Sequence, residues 1–402
     1  MTPERAIHAD PALSPGARPF RRKVFYIPGY DPFPPRRYRE LYRKEGARQA
    51  QISGYALDLK PMAMKNGYGW RVRGPEGAEA EVEVLVWADL VRDSMDRGIL
   101  ATYGQMIRTA WAYIGSGALF RLMRLRKGPT IAALYPVAVL ILQAAVALGL
   151  ALALTRLTPW AWAVAPVVVW GVLAAFRRAD SRIFAWYLMH DYAYSAQAGG
   201  ANPPALERRM QDFTAKLRAA LEADVDEVLL VGHSSGAHLG VSVLADLIRA
   251  GLPARRPALG FLTLGQVVPM VSFLPGARRL RADLAFLSAR DELTWIDVTA
   301  PGDGCAFALC DPVGVTGVAP PDQRWPLVVS AAFTRTLSAE TWKRLRWRFF
   351  RLHFQYLCAF DRPGDYDYFQ ITAGPLTLAD RYRGRAPSKS RITAAASGFR
   401  DT

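Results

Sequence analysis

Asp226-Glu227-Val228-Leu229-Leu230-Val231-Gly232-His233-Ser234-Ser235-Gly236 is the stretch on which the reading of this chain turns. Residues 226–231 form a short apolar run, as in a strand buried in a sheet. Residues 237–250 read as a helix closed by Gly251. The spacing Gly232-x-Ser234-x-Gly236 between the two has a steric reason. A nucleophile on a tight, strained turn needs small neighbours two residues to either side, so that strand and helix can approach. The helix then begins beneath the hydroxyl and aims backbone N–H groups at developing negative charge. Ser235 fails the same test, because His233 and Ala237 flank it. Ser234 is therefore the candidate nucleophile, with Gly232 and Gly236 as the elbow glycines.

On either side, strands alternate with helices. Lys23-Val24-Phe25-Tyr26-Ile27 is strand-like and stops at the turn signal Pro28-Gly29-Tyr30-Asp31-Pro32. A basic, helix-compatible stretch covers 35–49. Extended runs follow at 55–60 and 70–73, separated by Asn66-Gly67, and 81–87 turns from alternating to fully apolar. Residues 90–126 are amphipathic and helical, with a break at 115–117. Helices are expected over 182–195 and 205–223. Further strand candidates lie at 259–264, 293–298, 327–331 and 346–352. This alternation predicts an α/β fold with a mostly parallel sheet flanked by helices. Residues 1–20 are expected as a disordered arm and 381–402 as a flexible basic tail.

Residues 130–154 are almost wholly apolar, with Gln143 the only strongly polar side chain. About 25 residues rising ~1.5 Å each are long enough to cross a ~30 Å hydrocarbon layer. The connector Thr155-Arg156-Leu157-Thr158-Pro159 leads to a second apolar run, 160–176, at the lower limit for a span. Trp160, Trp162 and Trp170 are suited to anchor at an interface. Arg121, Arg124, Arg126 and Lys127 precede the first run, and Arg177, Arg178 and Arg182 follow the second, whereas the connector carries only Arg156. By the positive-inside rule both flanks are cytoplasmic. The expected organisation is a core of 21–127 and 179–380 interrupted by a two-helix membrane hairpin at 128–178.

Composition narrows the function classes. The 402 residues carry 51 Lys+Arg and 35 Asp+Glu, a formal charge of +16, and are 51% hydrophobic, which excludes a disordered chain. The three cysteines, Cys305, Cys310 and Cys358, exclude a disulfide scaffold and fit a reducing compartment. Cys305-x4-Cys310 has no neighbouring histidine in the sequence, so no metal is expected. No dinucleotide or P-loop signature is present, so no cofactor is expected either. The arginines are scattered and no nucleic-acid module is visible, which leaves no nucleic-acid partner expected.

With its elbow, strand and helix in place, the chain resembles the α/β-hydrolase superfamily over roughly residues 23–380. That resemblance implies a triad in the order Ser, Asp or Glu, His. Only His238 and His353 follow Ser234, and His238 lies one turn along the same helix. His353, near the chain end, is the implied general base. The implied acid sits in the loop after the strand 293–298, making Asp303 the first choice, Asp311 the second and Asp297 the third. The oxyanion donors implied are the backbone N–H of Ser235 and one from the loop after the first strand. Pro28 has no N–H, so Gly29 or Tyr30 must serve, with Tyr30 preferred; this departs from the His-Gly-Gly-Gly form of many lipases. The expectation is a membrane-anchored serine hydrolase acting on a carboxylic ester, lipid or acylated. The competing expectation is a non-catalytic, hydrolase-like membrane scaffold.

Overall fold

The apolar run before the elbow forms a strand, Glu227–His233, in which every residue is buried. It is the fifth of eight: β1 (Arg21–Ile27), β2 (Asp58–Met62), β3 (Tyr68–Arg73), β4 (Glu79–Val84), β5 (Glu227–His233), β6 (Ala258–Leu264), β7 (Thr294–Thr299) and β8 (Leu327–Ser330). The computed structural model describes residues 18–65, 67–157 and 160–402. Most of the expected N-terminal arm, Asn66, and Thr158-Pro159 of the connector lie outside the described residues.

The strands make one open sheet in the order β2-β3-β4-β1-β5-β6-β7-β8. Only β3 runs against the rest, pairing antiparallel with β2 and β4; β4, β1 and β5 through β8 are mutually parallel. The alternation of side chains on β1 explains why both sheet faces are covered. Phe25 and Ile27 join a cluster with Leu206, Met210 and Phe213 of the helix Pro204–Leu221 and with Leu239 and Val243 of the elbow helix Ser235–Arg249. Val24 and Tyr26 face the other way, toward Tyr38 and Tyr42 of the helix Arg36–Ser53. The chain leaves β1 toward β4 and leaves β5 toward β6, on opposite sides of the sheet. The gap between the carboxyl ends of β1 and β5 is thus a topological switch point, where ligands bind in open parallel sheets.

Buried Arg22 on β1 and Glu227 on β5 are register partners joined by a 2.5 Å ion pair. Arg22 also donates to the Gly374 carbonyl (2.8 Å), and Glu227 accepts from the Leu378 N–H (2.6 Å), so the pair fastens the C-terminal segment under the sheet.

Two helices between β4 and β5 stand apart. Lys127–Leu157 has 31 residues and Ala161–Arg178 has 18, with mean hydropathies of 2.6 and 1.3 in their most apolar windows. Both are long and apolar enough to cross a membrane. Only 22% and 11% of those windows are buried, so neither is the core helix of a packed domain. Leu140 and Ala147 are buried, while Ile141, Leu142, Leu150, Leu152 and Val167 are exposed.

Three expectations require correction. Residues 346–352 are not a strand; turn gives way to the short helix Phe349–His353. Trp347 and Phe349 are exposed while Leu352 and His353 are buried, a helical rather than alternating spacing. The amphipathic stretch 90–126 breaks twice, at 96–98 as well as at 116–117, into Ala88–Met95, Ile99–Gly115 and Ala118–Leu125. Residues 381–402 are docked rather than loose. Ile392 bridges to Cys310 through Ile392 N–H to Leu309 O (2.7 Å) and Asp311 N–H to Ile392 O (2.8 Å), and buried Arg281 donates to Asp401 Oδ1 (2.9 Å).

Asp297 is wholly buried inside β7, accepts a 2.6 Å hydrogen bond from Thr263 Oγ1, and has its second carboxyl oxygen unpaired among the described residues. Burial pushes its pKa up to about 8, against the Thr263 hydrogen bond. A carboxyl with a raised folded pKa stabilises the fold relative to higher pH only while protonated. Its contribution is lost as pH rises from the unfolded value near ~4 through about 8. Asp297→Asn is therefore expected to raise the unfolding temperature at pH 9 and to leave a much smaller difference at pH 4. Thermal melts at the two pH values check this; an equal shift at both contradicts it.

Candidate active site

Ser234 adopts φ +56° and ψ −120°, a conformation that side chains rarely take, at the junction of β5 and the elbow helix. Holding a non-glycine residue there costs about 1–3 kcal/mol. The flanks explain how it is held. A Cβ on Gly236 would lie 2.1 Å from the Ile27 carbonyl oxygen, and one on Gly232 would lie 2.6 Å from the Gly236 carbonyl oxygen. Only glycine allows the elbow helix to press this closely on β1. The Ser234 N–H is tied to the Leu264 carbonyl at the end of β6 (2.9 Å).

His353 and Asp303 are brought together from 50 residues apart. His353 Nδ1 lies 2.7 Å from Asp303 Oδ2, and both side chains are buried. Asp303 lies in the loop after β7, and its Oδ1 accepts from the Cys305 N–H (2.9 Å). Tyr356 donates from its hydroxyl to Asp303 Oδ2 (3.1 Å) while accepting from the Ala300 N–H (3.0 Å). Burial alone would raise the Asp303 carboxyl. The His353 charge and the hydrogen bonds from His353, Cys305 and Tyr356 outweigh it and hold the group below the usual carboxylate range.

The other two acids do other work. Asp311 caps the helix Pro312–Thr316 by accepting from the Val313 N–H (2.9 Å) and Gly314 N–H (3.2 Å). Asp297 points into the sheet, as described. His238 is buried on the elbow helix and does not line the cavity that holds Ser234.

Ser234 and His353 line one cavity, of about 760 Å³ of empty space including its open mouth, together with Gly29, Tyr30 and Ser235. Among the described residues no hydrogen bond joins the Ser234 hydroxyl to His353; such contacts commonly tighten only when substrate is bound. Neither the Tyr30 nor the Ser235 N–H donates to a protein acceptor among the described residues. The Tyr30 loop is pinned from three sides. Trp87 Nε1 donates to the Pro28 carbonyl (3.0 Å), the Tyr187 hydroxyl donates to the Tyr30 carbonyl, and Asp31 accepts from the Tyr38 hydroxyl (2.7 Å).

Some participants escape sequence reasoning. His233, the residue before Ser234, places Nε2 3.0 Å from the His353 carbonyl, and its ring packs against that of His353 at a tilt of 39° with centroids 4.8 Å apart. Burial, reinforced by His353, lowers its pKa to about 3, so this imidazole is neutral and acts as a prop. Its place inside the elbow motif was the one available signal. Asp191, on the helix Ala185–Ala196, lines the same cavity; burial pushes its carboxyl up to about 7, with His353 pulling the other way. Nothing in its local sequence marks it.

Ligand atoms of Asp303, Cys305 and His353 lie within 4.8 Å of one another. Cys305, without a histidine near it in sequence, thus has one near it in space. The Asp303–His353 hydrogen bond already engages both of those side chains, and burial, reinforced by Asp303, drives the Cys305 thiol well up. The group is better suited to hold an imidazole tautomer than a cation. Comparison with family models, curated proteins and solved structures finds no match. What the site can do is therefore argued from its own geometry.

Asp303→Asn should reduce reaction of Ser234 with an active-site phosphonylating reagent by about 10⁴-fold, because the wrong imidazole tautomer is favoured. Asp311→Asn should leave that rate within about twofold and cost up to about 1 kcal/mol of stability through the weakened cap. Rates measured side by side distinguish the two; equal losses would remove Asp303 from its assigned position.

Proposed function

We propose that the chain is a membrane-anchored serine hydrolase of the α/β-hydrolase type that cleaves carboxylic esters. The observation that carries this reading is a strained Ser234 sharing one cavity with an imidazole whose far nitrogen bonds a buried carboxylate. In the proposed reaction Ser234 Oγ attacks the acyl carbon and its proton passes to His353 Nε2. Asp303 stabilises the resulting imidazolium without taking a proton. The N–H groups of Ser235 and Tyr30 receive the oxyanion. His353 then protonates the leaving alcohol, and water activated by the same imidazole releases the acid from the acyl-enzyme. The pinned Tyr30 loop supports preorganisation, since its donors need not reorient as charge develops.

The two long apolar helices support integral attachment, with the basic flanks on the cytoplasmic side and the connector outside. Thr155→Cys is expected to react with a membrane-impermeant maleimide added to intact cells. Reaction only after lysis would reverse the proposed topology.

The enzyme reading is tested by a fluorophosphonate probe on the membrane fraction. Wild type should label; Ser234→Ala should not, and His353→Ala should label about 10²–10⁴-fold more slowly. A folded wild type that does not label favours a hydrolase-like membrane scaffold instead.

A further inference from the structure

A second cavity lies beside the first. Ile114, Leu119 and Leu122 form one wall, and Ala133, Leu134 and Val137 of the long helix Lys127–Leu157 form the other. It contains about 570 Å³ of empty space including its open mouth. Tyr192 and Met270 line both cavities, so one layer of side chains separates this space from the one holding Ser234. The few polar groups on its walls are turned away. The Tyr113 hydroxyl donates to the Met270 carbonyl (2.8 Å) and the Thr130 hydroxyl to the Arg126 carbonyl (3.2 Å). The contrast with the Ser234 cavity, which Asp31, Asp191 and Ser195 line, is that of a tail site beside a head site.

We propose that this cavity is the acyl-chain site, and that the substrate is the ester of a long-chain fatty acid arriving from the bilayer. The inference rests on the serine-hydrolase reading above. Three further observations fix the direction of arrival. Pro129, at the start of the long helix, lines the Ser234 cavity, and Gly128 packs against Gly304 beside Asp303. The base of the apolar pair is therefore a wall of the reaction site. The helix Ile99–Gly115, which carries Ile114 of the second cavity, exposes Leu100, Ile107, Trp111 and Ile114 along one side, at 76%, 65%, 76% and 50%. Such an apolar stripe suits a helix lying in the lipid–water interface. With the flexible Met270 side chain displaced from the shared wall, a carbonyl at Ser234 would extend its chain into the second cavity and keep its methylenes in protein or lipid, at the burial gain usual for hydrocarbon.

The test is a hexadecyl fluorophosphonate carrying a diazirine at the far end of its chain, reacted with the full-length protein in membranes, irradiated and mapped by peptide. The expected result is an adduct on Ser234 with cross-links confined to residues 109–137. An adduct on Ser234 with cross-links only around 350–354 or only to lipid overturns the acyl site and leaves the hydrolase reading standing. No adduct overturns both. Independently, Ala133→Trp fills the cavity and should lower the ratio of long-chain to short-chain ester turnover at least about tenfold. An unchanged ratio, with both rates moving together, overturns the proposal.

Discussion

The carbonyl oxygen of Ile27 and the backbone of Gly236 meet with no room for a single methyl group between them. That approach brings the end of β1 against the start of the elbow helix, and the rest of the site depends on it. It puts Tyr30, three residues past β1, beside Ser235, the first residue of the helix. It also leaves Ser234 no relaxed conformation: the strand on one side and the helix on the other are fixed by their cores, and the residue between them takes φ +56°. The strain is sustained because Leu230 behind the turn and Leu239 and Val243 beyond it are fully buried in one cluster. Relaxing one backbone angle would disturb many such contacts, each worth far more together than the strain itself.

A second constraint orders the polar residues. Asp303 is buried, and a buried carboxylate is tolerable only when its lone pairs are occupied. His353, Tyr356 and the Cys305 N–H occupy them. The arrangement directs Nδ1 of His353 toward the acid and so leaves Nε2 for the cavity. His233 completes it from the opposite side by holding the His353 backbone. The imidazole is thus fixed through its ring and through its main chain, by residues drawn from β5, the loop after β7 and the segment after Phe349–His353.

What was legible in the sequence divides along the same line. The elbow was legible because its requirement is local: two small residues at fixed spacing between an apolar run and a helical one. The strands near it were legible for the same reason, as were the two long apolar helices. The pairing of Asp303 with His353 was accessible only as what the resemblance to α/β-hydrolases implies, since nothing local distinguishes Asp303 from Asp311; the structure separates them by giving Asp311 two backbone N–H groups to cap. His233, Tyr356 and Asp191 act across the fold, and their neighbours are set by tertiary packing alone. The misread segment 346–352 is an instance of the same limit. Arg346-Trp347-Arg348-Phe349-Phe350-Arg351-Leu352 alternates like a strand, but Trp347 and Phe349 are exposed while Leu352 and His353 are buried, and the burial follows a short helix.

Topology connects the apolar helices to the site more firmly than composition does. β4, β1 and β5 are parallel neighbours, so a chain leaving β4 starts at the carboxyl edge of the sheet and must return to the opposite edge before entering β5. The helix Pro204–Leu221, packed on the elbow helix, makes that return. Everything between β4 and this helix therefore belongs to the carboxyl edge, which is also where Tyr30, Ser234 and Asp303 emerge. The start of the long apolar helix does sit at the site, with Pro129 lining the Ser234 cavity and Gly128 against Gly304. On the proposed membrane reading, the bilayer surface and the reaction centre then lie together through strand order alone. On the same proposal, an ester carried in lipid would not have to leave it completely to place its carbonyl at Ser234, because residues at the start of the long helix Lys127–Leu157 line both cavities.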